Sequence, residues 1–315
     1  MSTLSTGTLV EIVIDMSTTR RTCTLKRVRR LVLPSVTLGA VLVVWELVTV
    51  SGIFTRDQFP TMTSTFAALF SALVTPTLWL AVGATLQGWF WGLLIASCLA
   101  LAVGSALAFN DFARRSTAST IEVFKAIPAI AILPLVILVL GSTLSMKVFL
   151  VSFGAFWPLV IQVIYGVRSM DPTVLDTAKI LGVKGIRRFL VVTMPSAGPF
   201  IATGMRLASA TALILSVVAE LIGGADGLGR VILLAQTAGR SSYPTMYAYI
   251  VVSGLLGLLM TGAFFLLERR VMRWHESQRN ARSNDEALET PANRLAQLLT
   301  AAQTPALPRP LDIAK

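Results

Sequence analysis

Apolar residues run along this chain in blocks of membrane length, divided by short clusters of charge. About 20 apolar residues of helix cross a hydrocarbon layer of about 30 Å. The first block, Leu31 to about Val50, follows a basic run and is too long for the apolar core of a cleaved leader, so it predicts an uncleaved span. Glu46 lies near its far end, where a snorkelling carboxylate is expected ahead of a substrate or proton site. Residues 59–73 are apolar on one side with Thr and Ser on the other, the pattern of a helix lying on the outer surface. From Thr77 to Phe109 there is no charge. At about 1.5 Å per residue this is on the order of 50 Å of helix, and with no strong turn signal it predicts one tilted or bent span.

Residues 110–116, with Arg114 and Arg115, predict a short inner loop. A third span then runs through Lys125, Pro128 and Pro134 to Gly141. Its prolines free backbone groups, which suits either a kinked bundle helix or one lining a pathway. Lys125 is expected to snorkel inward. Lys147 marks a short outer loop before a fourth span, Val148 to Val167, with Pro158 in its middle and Arg168 at its inner end. The fifth span, about Phe200 to Ile222, has Arg206 and Glu220 near its ends. Its small residues, Gly204, Ala208, Ser209, Ala210 and Ala212, predict close helix packing. Residues 223–229, GGADGLG, predict a flexible outer loop; no strand precedes them and no Gly-Lys-Ser/Thr follows, which excludes a phosphate cradle. The sixth span is about Pro244 to Leu267.

Composition agrees with lipid as the solvent. The chain is 54% hydrophobic and 14% charged, against about a quarter charged in soluble domains, and its mean hydropathy is +0.73. The net charge of +11 does not indicate nucleic acid, because the bases flank apolar spans instead of forming a patch on a soluble domain. One side receives Arg20, Arg21, Lys26, Arg27, Arg29, Arg30, Arg114, Arg115, the bases from Arg168 to Arg188, and Arg269 onward; the other receives Arg56, Lys147, Arg230 and Arg240. Six spans with both termini inside satisfy the positive-inside rule. The expected organisation is a basic cytoplasmic tail over residues 1–30, a six-span all-α membrane bundle over 31–274, and a largely disordered cytoplasmic tail over 275–315. Met16 is an alternative start to Met1.

Chemistry on the chain itself is sparse. Cys23 and Cys98 stand in a basic tail and an apolar span, so no disulfide is expected, and His275 is the one histidine. There is no metal-ligand spacing, no catalytic triad and no phosphate loop, so no bound cofactor is expected and ATP, if used, is hydrolysed by another chain.

The exception to this apolar monotony is Asp171 to Pro199, DPTVLDTAKILGVKGIRRFLVVTMPSAGP. Asp171-Pro172 is a helix cap and first-turn proline, and Val174, Leu175, Ala178 and Leu181 share a face. Gly182 can end that helix; Lys184, Arg187 and Arg188 keep the next turn polar, and Pro195 and Pro199 interrupt the chain before the fifth span. A structured basic loop between two spans implies a docking partner.

At these residues the chain resembles the permease subunits of ATP-binding-cassette importers. Their inner loop reads Glu-Ala-Ala, three residues, Gly, nine residues, Ile-x-Leu-Pro; here Asp176-Thr177-Ala178, Gly182 and Val192-Thr193-Met194-Pro195 stand at identical spacing. The departures are Asp for Glu, Thr for Ala, and Val and Met for Ile and Leu. FKAIPAIAILPLVILVLG (124–141), VVAELIGGADGLGRVI (217–232) and LERRVMRW (267–274) extend the resemblance over about residues 30–275, toward the branch importing sulfonates, taurine, nitrate and related small solutes.

The resemblance implies a type I importer permease fold and a plasma-membrane location. It implies a separate ATPase subunit that uses the ATP, an extracytoplasmic solute-binding protein and a permease homodimer. It places Asp176, Thr177, Ala178, Lys179, Gly182, Lys184 and Pro195 in the ATPase-coupling loop. Lys125, Pro128, Pro134, Ser209 and Glu220 are the candidates for the pathway or for helix interfaces. An ion-coupled secondary transporter or channel is the alternative; it would place ionised groups deep in the spans, whereas Glu46, Lys125, Arg206 and Glu220 lie toward span ends. A membrane-embedded transferase lacks the acids and histidines it would need.

Overall fold

The computed structural model describes residues 36–52 and 59–271. The expectations for the terminal tails, for Met16, Cys23, Arg56, Asp57 and His275, and for the start of the first span lie outside the described residues. Everything regular among the described residues is helical. Helix α1 is Val36–Val50. Then come α2 (Met62–Val74), α3 (Pro76–Phe109), α4 (Asp111–Ala126), a 3-10 turn at Ala129–Ile132 and α5 (Leu133–Leu140). Helices α6 (Leu144–Arg168), α7 (Pro172–Ile180) and α8 (Gly185–Arg188) lead through a π turn at Phe189–Thr193 to α9 (Met194–Gly223). Last are α10 (Leu228–Thr237), a 3-10 turn at Arg240–Ser242 and α11 (Tyr243–Val271). Among the described residues, four runs are long and apolar enough to cross a membrane: Pro76–Phe109, Leu144–Arg168, Phe189–Thr237 and Arg240–Arg270. Helices α4 and α5 make a fifth if the bent pair counts as one.

The bundle is organised around α3, α6 and α9. In lipid, large apolar side chains gain nothing by turning inward, so small residues make the contacts. On α3, Thr85, Gly88, Gly92, Ala96, Ala100, Gly104 and Ala108 form the buried stripe, while Trp91, Leu94, Ile95 and Leu99 point outward. A Cβ on Gly88 would meet Lys147, one on Gly92 would meet Val151, and one on Gly104 would meet Val163. The constant offset means that α3 and α6 run parallel. Against α9 the register reverses: Gly166 faces Ala197 and Phe200, Gly204 faces Leu159 and Gln162, Gly154 faces Leu215, and Gly223 faces Met146. Helices α6 and α9 are therefore an antiparallel hairpin closed from one end to the other, with Pro158 and Pro199 accommodated inside them. Helix α11 also runs antiparallel to α9, since Arg206 pairs with Glu268 at 3.4 Å and Gly257 faces Leu213.

Several boundaries differ from the sequence expectation. Residues 110–116 are no loop: Asn110 Oδ1 accepts from Ala113 N at 3.1 Å and caps α4, which contains Arg114 and Arg115. The third span is broken, not kinked; Ile127 and Pro128 are extended and α4 and α5 meet at 77°, because Pro128 disfavours helix for the residue before it. Lys147 lies inside α6, whose start Thr143 caps. Pro195 and Pro199 do not interrupt the chain; Pro195 occupies a first-turn position of α9, where a missing N–H costs nothing. The expected second short helix of the loop runs on through the π turn into α9.

Helix α2 packs Thr65, Leu69 and Ala72 inward. Glu46 Oε2 accepts from Met62 N at 2.7 Å, so this acid satisfies the N-terminus of α2. Trp45, Phe59 and Tyr247 cluster at the same end, joining α1 to the start of α11.

Candidate functional site

Two features stand at opposite ends of the α6–α9 hairpin. At one end is the loop that joins them. Asp171 Oδ1 accepts from Thr173 N at 2.9 Å, and Pro172 fills the first turn of α7. This hydrogen bond from the Thr173 backbone holds the Asp171 carboxyl below the usual carboxylate range. The helix ends in a Schellman motif: Val183 N donates to Ala178 O at 2.9 Å and Gly182 N to Lys179 O at 3.0 Å, with Gly182 at φ +69°. Glycine is required there by conformation and not by space, since nothing lies within 4 Å of a Cβ. Ala178 is buried, whereas Ile180 and Leu181 are 85% and 73% exposed. Leu181 therefore does not share the covered side with Ala178.

Asp176 and Lys179 pair with each other at 2.8 Å on the open side. Thr177 is exposed and its hydroxyl donates to Thr173 O at 2.8 Å. Lys184 and Pro195 are also exposed. Arg168 Nη1 donates to Asp111 Oδ1 at 2.6 Å, which sets the ends of α3 and α6 on the same side as this loop.

At the other end of the hairpin is a buried ion pair. Lys147 and Glu220 are 1% and 0% exposed and meet at 2.8 Å. The ammonium spends its three donors on Glu220 Oε1, Ala84 O and Asp226 O, each at 2.8 Å. The carboxylate receives Ser216 Oγ at 3.3 Å on Oε1, and Thr85 Oγ1 at 2.9 Å and Gly229 N at 3.0 Å on Oε2. Thr85 Oγ1 also accepts from Leu228 N at 2.9 Å. A lone buried charge would be prohibitively expensive; here every donor and acceptor is matched, and the carboxylate faces the N-terminus of α10.

Residues 223–229 are accordingly not a flexible loop. A Cβ on Gly227 would collide with the Glu220 carboxylate and one on Gly229 with Val217 O. Lys147 was missed as a site residue because a lone lysine beside a span end reads as a loop marker. The available signal was its register, four residues before Val151 and facing Gly88 as Val151 faces Gly92.

The remaining candidates do not join either feature. Lys125 pairs with Glu122 at 3.7 Å on α4, no residue of which is buried, and Pro128 and Pro134 are exposed. Ser209 is buried in the α3–α9 contact, where its carbonyl accepts from Trp89 Nε1 at 3.1 Å.

Residues 92–273 match the family model of the binding-protein-dependent transport system inner membrane component. A probable ABC transporter permease protein of Brucella abortus (strain 2308) is 33% identical over 185 residues, covering 59% of this chain and 73% of that protein. A protein named as an aliphatic sulfonates transport permease, SsuC of Bacillus subtilis (strain 168), is 26% identical over 78% of this chain and 87% of its own length. The taurine transport system permease protein TauC of Escherichia coli (strain K12) is 28% identical over 63% and 72%. Among solved structures, a chain of the MetNI methionine ABC transporter in an inward-facing conformation superposes with a TM-score of 0.55 at 21% identity. That match covers 62% of this chain and 98% of the other, a likeness of fold.

Proposed function

The chain belongs to the family of binding-protein-dependent transport system inner membrane components, and on that premise we propose that it is the multi-pass permease subunit of an ABC importer. It forms the solute pathway and is not itself an enzyme; a separate ATPase subunit hydrolyses the ATP. The observation that carries the coupling role is the loop at α7. It is capped at both ends by hydrogen bonds, buries Ala178, and leaves Ile180 and Leu181 uncovered beside the basic residues Lys184, Arg187 and Arg188. An apolar tip with a basic surround on a stiff helix suits a cleft on a partner protein. Closure of two ATPases around ATP would press on that helix and bias the spans toward an outward-facing arrangement, with hydrolysis restoring the inward-facing one.

Six crossings with both termini cytoplasmic is the arrangement we favour. Its support is the parallel run of α3 and α6, which needs α4 and α5 to return across the layer, together with the antiparallel runs of α9 and α11 and the bias of Lys and Arg toward the loop side. An extracytoplasmic binding protein delivers the solute, and two copies of the chain pair around the pathway. The similarity to SsuC and TauC favours a small sulfonate-type anion such as taurine, with nitrate as a related cargo.

The test is reconstitution with the ATPase and the solute-binding protein. Ile180→Asp with Leu181→Asp is expected to abolish ATPase assembly and ATP-dependent uptake while the permease still purifies intact; unimpaired uptake would remove the coupling role from the loop. Ion-coupled transport, the competing class, predicts uptake without ATP that collapses with the ion gradient. The Lys147–Glu220 pair offers no place for a moving ion, because its donors and acceptors are taken by the protein.

A further inference from the structure

We propose that Lys147 and Glu220 are positioning residues for transport: their ion pair pins the α6–α9 hairpin at the end remote from the loop, so that a push on the loop turns the hairpin as one lever. The proposal rests on the coupling role assigned above to the loop.

The geometry of the hairpin sets the problem. Lys147 stands about 21 residues of helix from Arg168, or roughly 30 Å, and Glu220 lies near the far end of α9. Between loop and pair the two helices meet closely at the glycines Gly166, Gly204 and Gly154. Such a seam is close but carries little direction, because dispersion between apolar atoms changes slowly as one helix slides past the other. A force applied at the loop could be lost in sliding or splaying before reaching the far end.

A buried ion pair behaves differently. Separating the charges inside a low-dielectric layer leaves both uncompensated, so the contact holds one register and does not yield gradually. The same network reaches α3 through Ala84 and Thr85 and the α9–α10 turn through Asp226, Leu228 and Gly229. The lever is therefore α3, α6, α9 and α10 together. Helix α5 packs onto it, with Leu133 and Val136 buried in one cluster with Met146, Leu150 and Ala219, whereas α4 stands apart: α4 buries no residue, its join to α5 bends by 77°, and it meets α6 through the stacked Phe124–Trp157 rings and the Asp111–Arg168 pair. Motion between the two groups is expected at Ile127–Pro128.

The test uses the full complex in proteoliposomes, with Cys23 and Cys98 replaced by serine. Solute imported per ATP hydrolysed is measured for the parent and for K147M/E220Q, and spin labels at Leu144→Cys and Ile222→Cys report the far-end spacing of α6 and α9 with and without ATP. In the parent the spacing is expected to be narrow and unchanged by ATP. In K147M/E220Q it broadens with ATP and the ratio falls about fivefold or more. T85V/S216A, which keeps the charges and removes two hydroxyl contacts, gives a smaller fall in the same direction and serves if K147M/E220Q does not assemble. A normal ratio with a narrow spacing in either assembled variant overturns the lever. If instead Ile180→Asp with Leu181→Asp leaves uptake intact, the loop's coupling role fails first, and the two failures are distinct.

Discussion

Lys147 Nζ lies 2.8 Å from Glu220 Oε1, although the residues are 73 positions apart and both are buried. Removing one partner leaves the other charged and dry. Lys147→Met is therefore expected to lower stability by about 3–5 kcal/mol, and K147M/E220Q by less, because no net charge is left behind. Thermal unfolding of the purified protein in detergent checks the order of the two variants.

The small-residue seam makes a second prediction by contrast. A Cβ on Gly204 would lie 2.8 Å from Gln162 Cβ and 2.9 Å from Leu159 Cδ1, whereas nothing lies within 4 Å of one on Gly262. Gly204→Leu is expected to cost about 1–3 kcal/mol or more by overpacking, while Gly262→Ala is expected to be near neutral. The same unfolding assay separates them.

At Gly182 the constraint is backbone conformation alone. With φ at +69° and open space around it, Gly182→Val is expected to cost about 1–2 kcal/mol and to unwind the end of α7, whereas Gly182→Asn, which tolerates the left-handed region, retains most ATP-dependent uptake. Uptake that falls equally in both variants would count against this account.

The Asp171 cap should titrate. Its carboxyl lies below its ordinary value of 3.8, chiefly through the hydrogen bond from Thr173 N. A depressed folded-state value means that the cap's stabilisation is fully present above the ordinary value and is lost as pH falls through the lower, folded one. Amide exchange at Thr173, corrected for its intrinsic rate, is expected to show constant protection from neutral pH down to about pH 4 and loss of it in stronger acid. In Asp171→Ala the protection is reduced at neutral pH, and the loss in acid that marks the parent is absent.

Much of this arrangement could be read without coordinates. Charge-free runs of membrane length gave the long helices α3, α6 and α11, because lipid leaves backbone polar groups no partners but their own helix. Asp171-Pro172 and Gly182 marked the ends of α7, because caps and left-handed glycines act within a few residues of chain. The small residues of α9 announced a helix interface. Where reading failed, contacts across the sequence decided. Lys147 looked like a loop residue, and GGADGLG looked flexible, because each was judged by its neighbours along the chain. The carboxylate that holds them is brought from Glu220 by the packing of α9 on α6. Pro128 and Pro134 predicted a kink, but how far α4 and α5 swing apart depends on what each leaves uncovered.

By itself, then, the sequence determined the helical character, the sidedness of charge and the capped loop, since these follow from hydropathy and local backbone preference. Only the tertiary structure decided that one lysine and one glutamate are buried together. The energy of an ion pair depends on distance and dielectric, and both are set by which helices come to lie side by side.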